Sequence, residues 1–290
     1  MNNVFNKVQA IFKQNNLLVN LLHINIGAYL LLHILSVILT LLNIDPSLIA
    51  INTQMPSEVQ GILRKPWTAI TYMFTHADIM HIVINMLWLY WFGKLFLQVF
   101  NERQLGALYL MGGLAGGLIF TLAYTYLPYF SNSSGLLTGA SASVMAIVFA
   151  IAFYKKETQI NLLFLGKIRL IYLAIGTIAI DVFMLTANNT GGRIAHIGGA
   201  ILGYVFAAQM QKGKDITKPI TKILDKIANF KTKKPKMKAT YQKRQADYDY
   251  NAAQNNQNQN IDAILDKLKK SGYQSLTKNE KKQLFDASNK

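Results

Sequence analysis

The chain has 290 residues, a formal net charge of +16 and no cysteine, which excludes disulfides, thiol nucleophiles and cysteine-ligated metal. It is 51% hydrophobic and only 15% charged. The charge is uneven, with 11 basic and 6 acidic side chains in residues 1–211 against 19 and 8 in residues 212–290.

Residues 1–21 are polar at the start (Asn2, Asn3, Lys7, Lys13, Gln14) and lack a small-residue cleavage site after a short apolar core. They read as a retained cytoplasmic segment rather than a removable signal. Apolar runs then follow near 22–43, 80–99, 105–128, 136–153, 170–187 and 194–211, and from Gln104 to Tyr154 the chain passes 51 residues without one charged side chain. A soluble domain of ordinary composition does not do this, whereas about 20 apolar residues cross a bilayer as a helix. Barrel strands alternate over roughly 10 residues, and these runs are continuous and longer. The pattern predicts an all-α membrane protein, with a six-transmembrane helical bundle over 22–211. Ser131 to Gly135, after Pro128, is the turn between spans three and four. The loop from Asp45 to Thr75 carries Pro46, Pro56 and Pro66 with Trp67, Tyr72 and Phe74, and its aromatic residues place it in the membrane interface.

The basic residues of short connections orient the bundle. With the N-terminus inside, Lys7, Lys13, Lys94, Arg103, Lys155, Lys156, Lys167, Arg169 and the basic tail lie on the cytoplasmic side, and only Arg64, Lys65 and Arg193 lie outside. Residues 212–260 read as a linker: lysine-rich and partly amphipathic to 240, then rich in Gln and Asn from Tyr241 to Asn260, and too polar to fold alone. Residues 261–290 read as a small cytoplasmic helical hairpin. Ile261, Ile264, Leu265 and Leu268 mark its first face, and Thr277 with Glu280 marks a capping box opening the second helix. The tail's charge suits anionic lipid headgroups. Nucleic acid is not an expected partner, because the tail offers neither a folded basic reader nor base-stacking aromatics.

In this topology spans two, four and six descend from the outer face, and their first turns hold His81 with Asn85, Ser141 and His196. Each lies within roughly 10 Å of the outer boundary. Alone, such groups hydrate, glue helices or bond back to their own backbone. Four of them in one layer on three helices point to chemistry. Small residues permit close approach: Ala195, Gly199, Gly203 and Ala207 form one row in span six, and Gly139 with Ser143, or Ala142 with Ala146 and Ala150, form rows in span four. Gly112, Gly113, Gly116 and Gly117 in span three are read as packing. A serine hydroxyl needs a base to take its proton, neutral imidazole serves near pH 7, and a developing oxyanion needs donors.

From about residue 60 to 211 the chain resembles the rhomboid family of intramembrane serine proteases. The likeness rests on Trp67, the run from His76 to Asn85, the Gly-x-Ser motif at Gly139–Ser141 and Ala-His-x-x-Gly-x-x-x-Gly from Ala195 to Gly203. The resemblance implies a Ser141 nucleophile, His196 as general base and later acid, and an oxyanion hole of His81, Asn85 and the Ser141 N–H. Gly139, Ala142, Gly199 and Gly203 would pack around that site. It implies transmembrane proteins as substrates, no cofactor or metal, and a bacterial inner membrane with the active site near the outer face. Two positions depart from the family pattern: Ala142 replaces a glycine, and Trp67 is followed by Thr68 instead of arginine, so that Arg64 or Lys65 would have to supply any loop anchor. The stretches Ile261 to Lys267 and Ser271 to Thr277 resemble a tail module on rhomboid-like proteins of Bacteroidetes-type bacteria, and that likeness assigns the tail no particular activity.

Other polar residues carry less weight. Ser143 lies about 200° round the helix from Ser141 and is read as packing. Asp181 could complete a triad, but the resembled family uses a Ser-His dyad, so a hydrated or hydrogen-bonded carboxylate is expected. His76 and Asp78 read as supports for the loop into span two, and His23 and His33 match no motif. The spacing of His76 and His81, with no Glu between, does not suit zinc. Ala187 to Gly192 would form a mobile cap over the site. A non-proteolytic client-binding relative and a transporter are the alternatives, the latter disfavoured because no inverted repeat is visible. The oligomeric state stays open.

Overall fold

Six helices occupy the six apolar runs in the computed structural model, which describes residues 16–162, 166–186, 189–231 and 243–288. The chain forms two units, residues 1–231 and 232–290. The first fifteen residues, Ala187 and Asn188 of the expected cap, and tract 232–242 of the expected linker lie outside the described residues.

Helix α1 (Leu17–Leu41) starts where the Asn16 side chain accepts the Val19 N–H at 2.9 Å. The loop from Asp45 to Thr75 is structured: α2 (Ser47–Thr53), β1 (Met55–Pro56), α3 (Val59–Arg64), α4 (Thr68–Thr71) and a 3-10 turn at Tyr72–Phe74. Lys65 Nζ donates to the Ile51 carbonyl at 3.0 Å, Trp67 Nε1 to Asn52 at 2.9 Å and Thr71 Oγ1 to Thr53 at 2.7 Å. Lys65 thus anchors the loop that lacks an arginine after Trp67. Next come α5 (Ile79–Leu97) and α6 (Glu102–Tyr126), the latter opened by a capping box of Asn101 and Gln104. Strand β2 (Leu136–Leu137) pairs antiparallel with β1 before α7 (Ser141–Tyr154). A hairpin of β3 (Gln159–Leu162) and β4 (Gly166–Arg169) leads to α8 (Leu170–Phe183), then α9 (Thr190–Gln211) and α10 (Lys218–Lys231). The second unit contains α11 (Lys243–Ser271), a 3-10 turn at Tyr273–Ser275 and α12 (Lys278–Ser288).

Three of these helices, α1, α5 and α6, are long and apolar enough to cross a membrane, whereas α7 and α8 are apolar but have 14 residues each. Fourteen residues rise about 21 Å, less than the roughly 30 Å hydrocarbon core. The outward faces are apolar, with Leu31, Ile34, Leu118, Ile175 and Phe183 all exposed.

Several expectations need correction. The fold is not purely helical, because two short two-stranded sheets join the helices. The fourth apolar run becomes helix only at Ser141, since 136–137 pair with β1 and Gly139 takes a left-handed φ of +115°. The fifth ends at Phe183 rather than 187. The first unit extends through α10 to Lys231 instead of stopping near 211. There Gln104 Nε2 donates to Asp215 at 2.9 Å and Arg103 approaches Asp225 at 3.4 Å. The Gln/Asn-rich tract is helical from Lys243, not unfolded up to 261. No glycine or proline interrupts it until Gly272, whose φ of +77° ends the helix. The Thr277–Glu280 box forms as expected, with Thr277 N–H donating to the carboxylate at 2.7 Å.

Helix α9 is held between α6 and α7. A Cβ on Gly199 would strike the Ala142 carbonyl oxygen, and one on Gly203 that of Ala146. On the other side a Cβ on Gly116 of α6 would lie 2.8 Å from the Ala195 carbonyl oxygen. Helices α7 and α9 therefore touch backbone to backbone, as the small-residue rows require.

Candidate active site

The start of α7 is fixed from the loop that precedes α5. Tyr72 is buried; its hydroxyl donates to the Gly113 carbonyl at 2.6 Å, and its own carbonyl accepts the Gly139 N–H at 2.9 Å. Thr75 and Thr138 share a hydroxyl hydrogen bond of 2.7 Å. These ties hold Gly139, whose φ of +115° turns the chain into α7. Ser141 is the first helical residue, and no side chain caps it. Its N–H therefore has no intrahelical acceptor, and its hydroxyl sits at the positive end of the helix.

Opposite stands the first turn of α5. Asp78 caps that helix by accepting the His81 N–H at 2.9 Å. The Ala77 N–H donates to His81 Nδ1 at 3.4 Å, which leaves Nε2 as the protonated, donating nitrogen. An atom placed as a Cβ on Gly139 would lie 2.7 Å from His81 Nε2 and 3.7 Å from Ser141 Oγ. Asn85 is buried, and its Nδ2 donates to the His81 carbonyl at 2.8 Å with one hydrogen to spare. His76 packs edge-on against His81, ring centroids 5.2 Å apart. Burial, reinforced by the neighbouring His81, lowers the His76 pKa to about 4.

His196 lies in the second turn of α9, which the Asn189 side chain opens by accepting the Gly192 N–H at 3.3 Å. Its Nδ1 is 2.8 Å from Asp181 Oδ2 on α8, and Arg193 Nη1 is 3.5 Å from the other carboxylate oxygen. Asp181 is thus hydrogen-bonded, but its partner is His196, the contact of the triad alternative and not of a carboxylate apart from the dyad. Ser141, His196, His81, Asn85 and Asp181 all line one cavity of about 310 Å³, with Trp88 among its apolar walls. Asn189 lines it too, although the expected cap as a whole is not described. Ser143 points away and is buried in packing. His33 and His76 line a separate cavity of about 180 Å³. A hydroxyl, a carboxylate-bound imidazole and amide and imidazole donors around one partly enclosed space are the groups that acyl transfer uses.

Sequence reasoning missed Tyr72, Thr75 and Thr138 as positioning groups, since common polar residues in a loop carry no pattern. It also missed a buried pair beneath them. Asn25 contacts the Tyr109 hydroxyl at 3.2 Å, and that hydroxyl donates to the Met73 carbonyl at 2.9 Å. An asparagine inside the first apolar run was the available signal.

Residues 63–212 match the Rhomboid domain, and residues 245–290 match a family of unknown function (DUF6576). RHOMBOID-like protein 12, mitochondrial, of Arabidopsis thaliana is 32% identical over 160 residues, 51% of this chain and 47% of that protein. RHOMBOID-like protein 1 of the same plant is 25% identical over 178 residues, 59% and 42% of the two chains. Presenilin-associated rhomboid-like protein A, mitochondrial, of Danio rerio is 28% identical over 140 residues, 45% and 34%. The chain spans about half the length, or less, of the curated relatives it matches.

Proposed function

The chain belongs to the rhomboid family of integral membrane proteins, and we propose that it is an intramembrane serine endopeptidase that hydrolyses peptide bonds in or beside the transmembrane helices of other proteins. The observation that carries the reading is the convergence of Ser141, His196, His81 and Asn85, from three helices, on one cavity.

In this reading His196 takes the Ser141 hydroxyl proton as Oγ bonds to the scissile carbonyl carbon. The carbonyl electron pair moves to oxygen, where the His81 Nε2–H, the free Asn85 N–H and the Ser141 N–H donate to it. When the tetrahedral intermediate collapses, the C–N bond breaks, and the imidazolium passes its proton to the leaving nitrogen. Water then attacks the acyl-enzyme with His196 again as base. Gly139 gives His81 room beside the serine, while Gly199 and Gly203 let α9 pack against the backbone of α7 at Ala142 and Ala146. A helical substrate has its carbonyls hydrogen-bonded and sterically closed, so substrates with small or helix-breaking residues near the outer end of the span are favoured.

The same reading takes α1, α5, α6, α7, α8 and α9 as six spans, with both termini cytoplasmic, in a bacterial inner membrane. The support is the distribution of Lys and Arg and the apolar exterior. The basic tail binds anionic headgroups. The test is cleavage of a fluorescent single-span protein by the purified chain in lipid vesicles. Cleavage by the wild type and not by Ser141→Ala or His196→Ala supports the protease; intact, folded protein that never cleaves any of a panel of helices, yet retains them, supports a client-binding role instead.

A further inference from the structure

We infer that Asp181 is a positioning residue for His196, so that this chain works with a Ser-His-Asp arrangement and not with a bare dyad. The inference rests on the serine-protease reading of the cavity. Helix α8 presents one inward face, on which Leu170, Ala174 and Asp181 are buried, while Ile180, Val182 and Phe183 beside Asp181 are exposed on an apolar surface. A carboxylate on the inward face of such a helix carries a large desolvation cost unless it is paired. Here it is paired twice: the 2.8 Å contact to His196 Nδ1 and the 3.5 Å contact to Arg193. Their side chains are only 12%, 20% and 18% exposed for Asp181, His196 and Arg193 respectively.

The carboxylate can only accept, so the shared proton belongs to His196 Nδ1. That fixes the tautomer in which Nε2 carries the free lone pair, the form able to receive the Ser141 proton. When Nε2 is protonated in the tetrahedral intermediate, the Asp181 carboxylate stabilises the imidazolium and stays ionised itself. Arg193 Nη1, 3.5 Å from the other carboxylate oxygen, helps hold the carboxylate turned toward the ring. Among the described residues His81 on α5 also faces His196, and α6 meets α9 beside Ala195 and Gly198 with the small residues Ala115 and Gly116. Among the described residues that line the cavity, no second carboxylate stands beside His196 to replace Asp181.

The experiment uses the full chain in lipid vesicles, labelled with nitrogen-15 at histidine, and a fluorescent single-span reporter. The expected result has two parts. In the wild type the His196 ring is protonated at Nδ1 near neutral pH, with assignment from the His196→Gln spectrum, and in Asp181→Ala that preference is lost. Asp181→Asn and Asp181→Ala lower kcat by at least about 100-fold with KM within about threefold, and the acid limb of the kcat/KM profile moves to lower pH. The inference is overturned if the wild-type ring carries its proton on Nε2, or if both variants keep kcat within about threefold with an unmoved acid limb while Ser141→Ala is dead. A wild type that cleaves nothing sinks the protease reading, and the tautomer measurement then decides the Asp181–His196 contact separately.

Discussion

Gly139 passes so close to His81 that a Cβ on it would sit 2.7 Å from the imidazole Nε2. The same glycine holds φ at +115°, a region that L side chains rarely adopt. It separates the oxyanion donor from the serine by a gap that no other residue leaves open. Gly139→Ala should lower the cleavage rate by at least about 100-fold, because a displacement of about 1 Å has that effect on an aligned site. Gly176→Ala on α8 is the control, since nothing lies within 4 Å of its Cβ position. Parallel rate and circular dichroism measurements check this, and equal activity in the two variants would remove the steric argument.

Asn85 tests the oxyanion assignment. One of its amide hydrogens is committed to the His81 carbonyl at 2.8 Å and the other is free toward the cavity. Asn85→Ala should cost about 3 kcal/mol of transition-state stabilisation. Steady-state kinetics should show this as a kcat loss of roughly 100-fold with KM nearly unchanged. A variant that raises KM and spares kcat would make Asn85 a binding residue.

The contact between α7 and α9 depends on Gly199, where a side chain would meet the Ala142 carbonyl oxygen. Gly199→Val should destabilise the bundle by about 1–3 kcal/mol and reduce activity beyond that, since His196 moves with α9. Unfolding in mixed micelles measures the first effect. Gly27→Val on α1, with open space around it, should leave both values close to wild type.

His76 makes stability depend on acid. Its folded pKa is lowered to about 4, below the ordinary histidine value of 6.5, because burial and His81 disfavour the charged ring. The unfolded chain therefore binds more protons than the folded one between those values. Stability contributed by neutral His76 is complete above pH 6.5 and is lost as pH falls toward 4. Thermal unfolding across that window should show the decline, and His76→Asn should flatten it.

Much of this was legible in the sequence because the membrane imposes continuous apolar runs, and polar residues inside them stand out. Each of the six runs contains a helix, and Ser141, His196, His81 and Asn85 line one cavity. The helix boundaries were less legible. Hydropathy does not distinguish helix from extended chain, so the pairing of Leu136–Leu137 with Met55–Pro56 and the late start of α7 at Ser141 could not be read from composition. The shift has a consequence for chemistry, since it makes Ser141, expected in the first turn, the first helical residue itself. The partner of Asp181 was hidden for a different reason: fifteen residues separate it from His196, and only the turn from α8 to α9 brings the two together. The polar tract before Ile261 misled because weak helix signals without an apolar face look the same as unfolded chain, whereas Lys243–Ser271 has no breaker.

The central claim, that Ser141 is a nucleophile activated by His196, is tested most directly by intact-protein mass spectrometry after reaction with a fluorophosphonate in lipid. The phosphorus should bond to one serine oxygen with loss of fluoride, and peptide mapping should place the adduct on Ser141 in the wild type and find it absent from His196→Ala. An unreactive wild type, or an adduct on another serine, would contradict it.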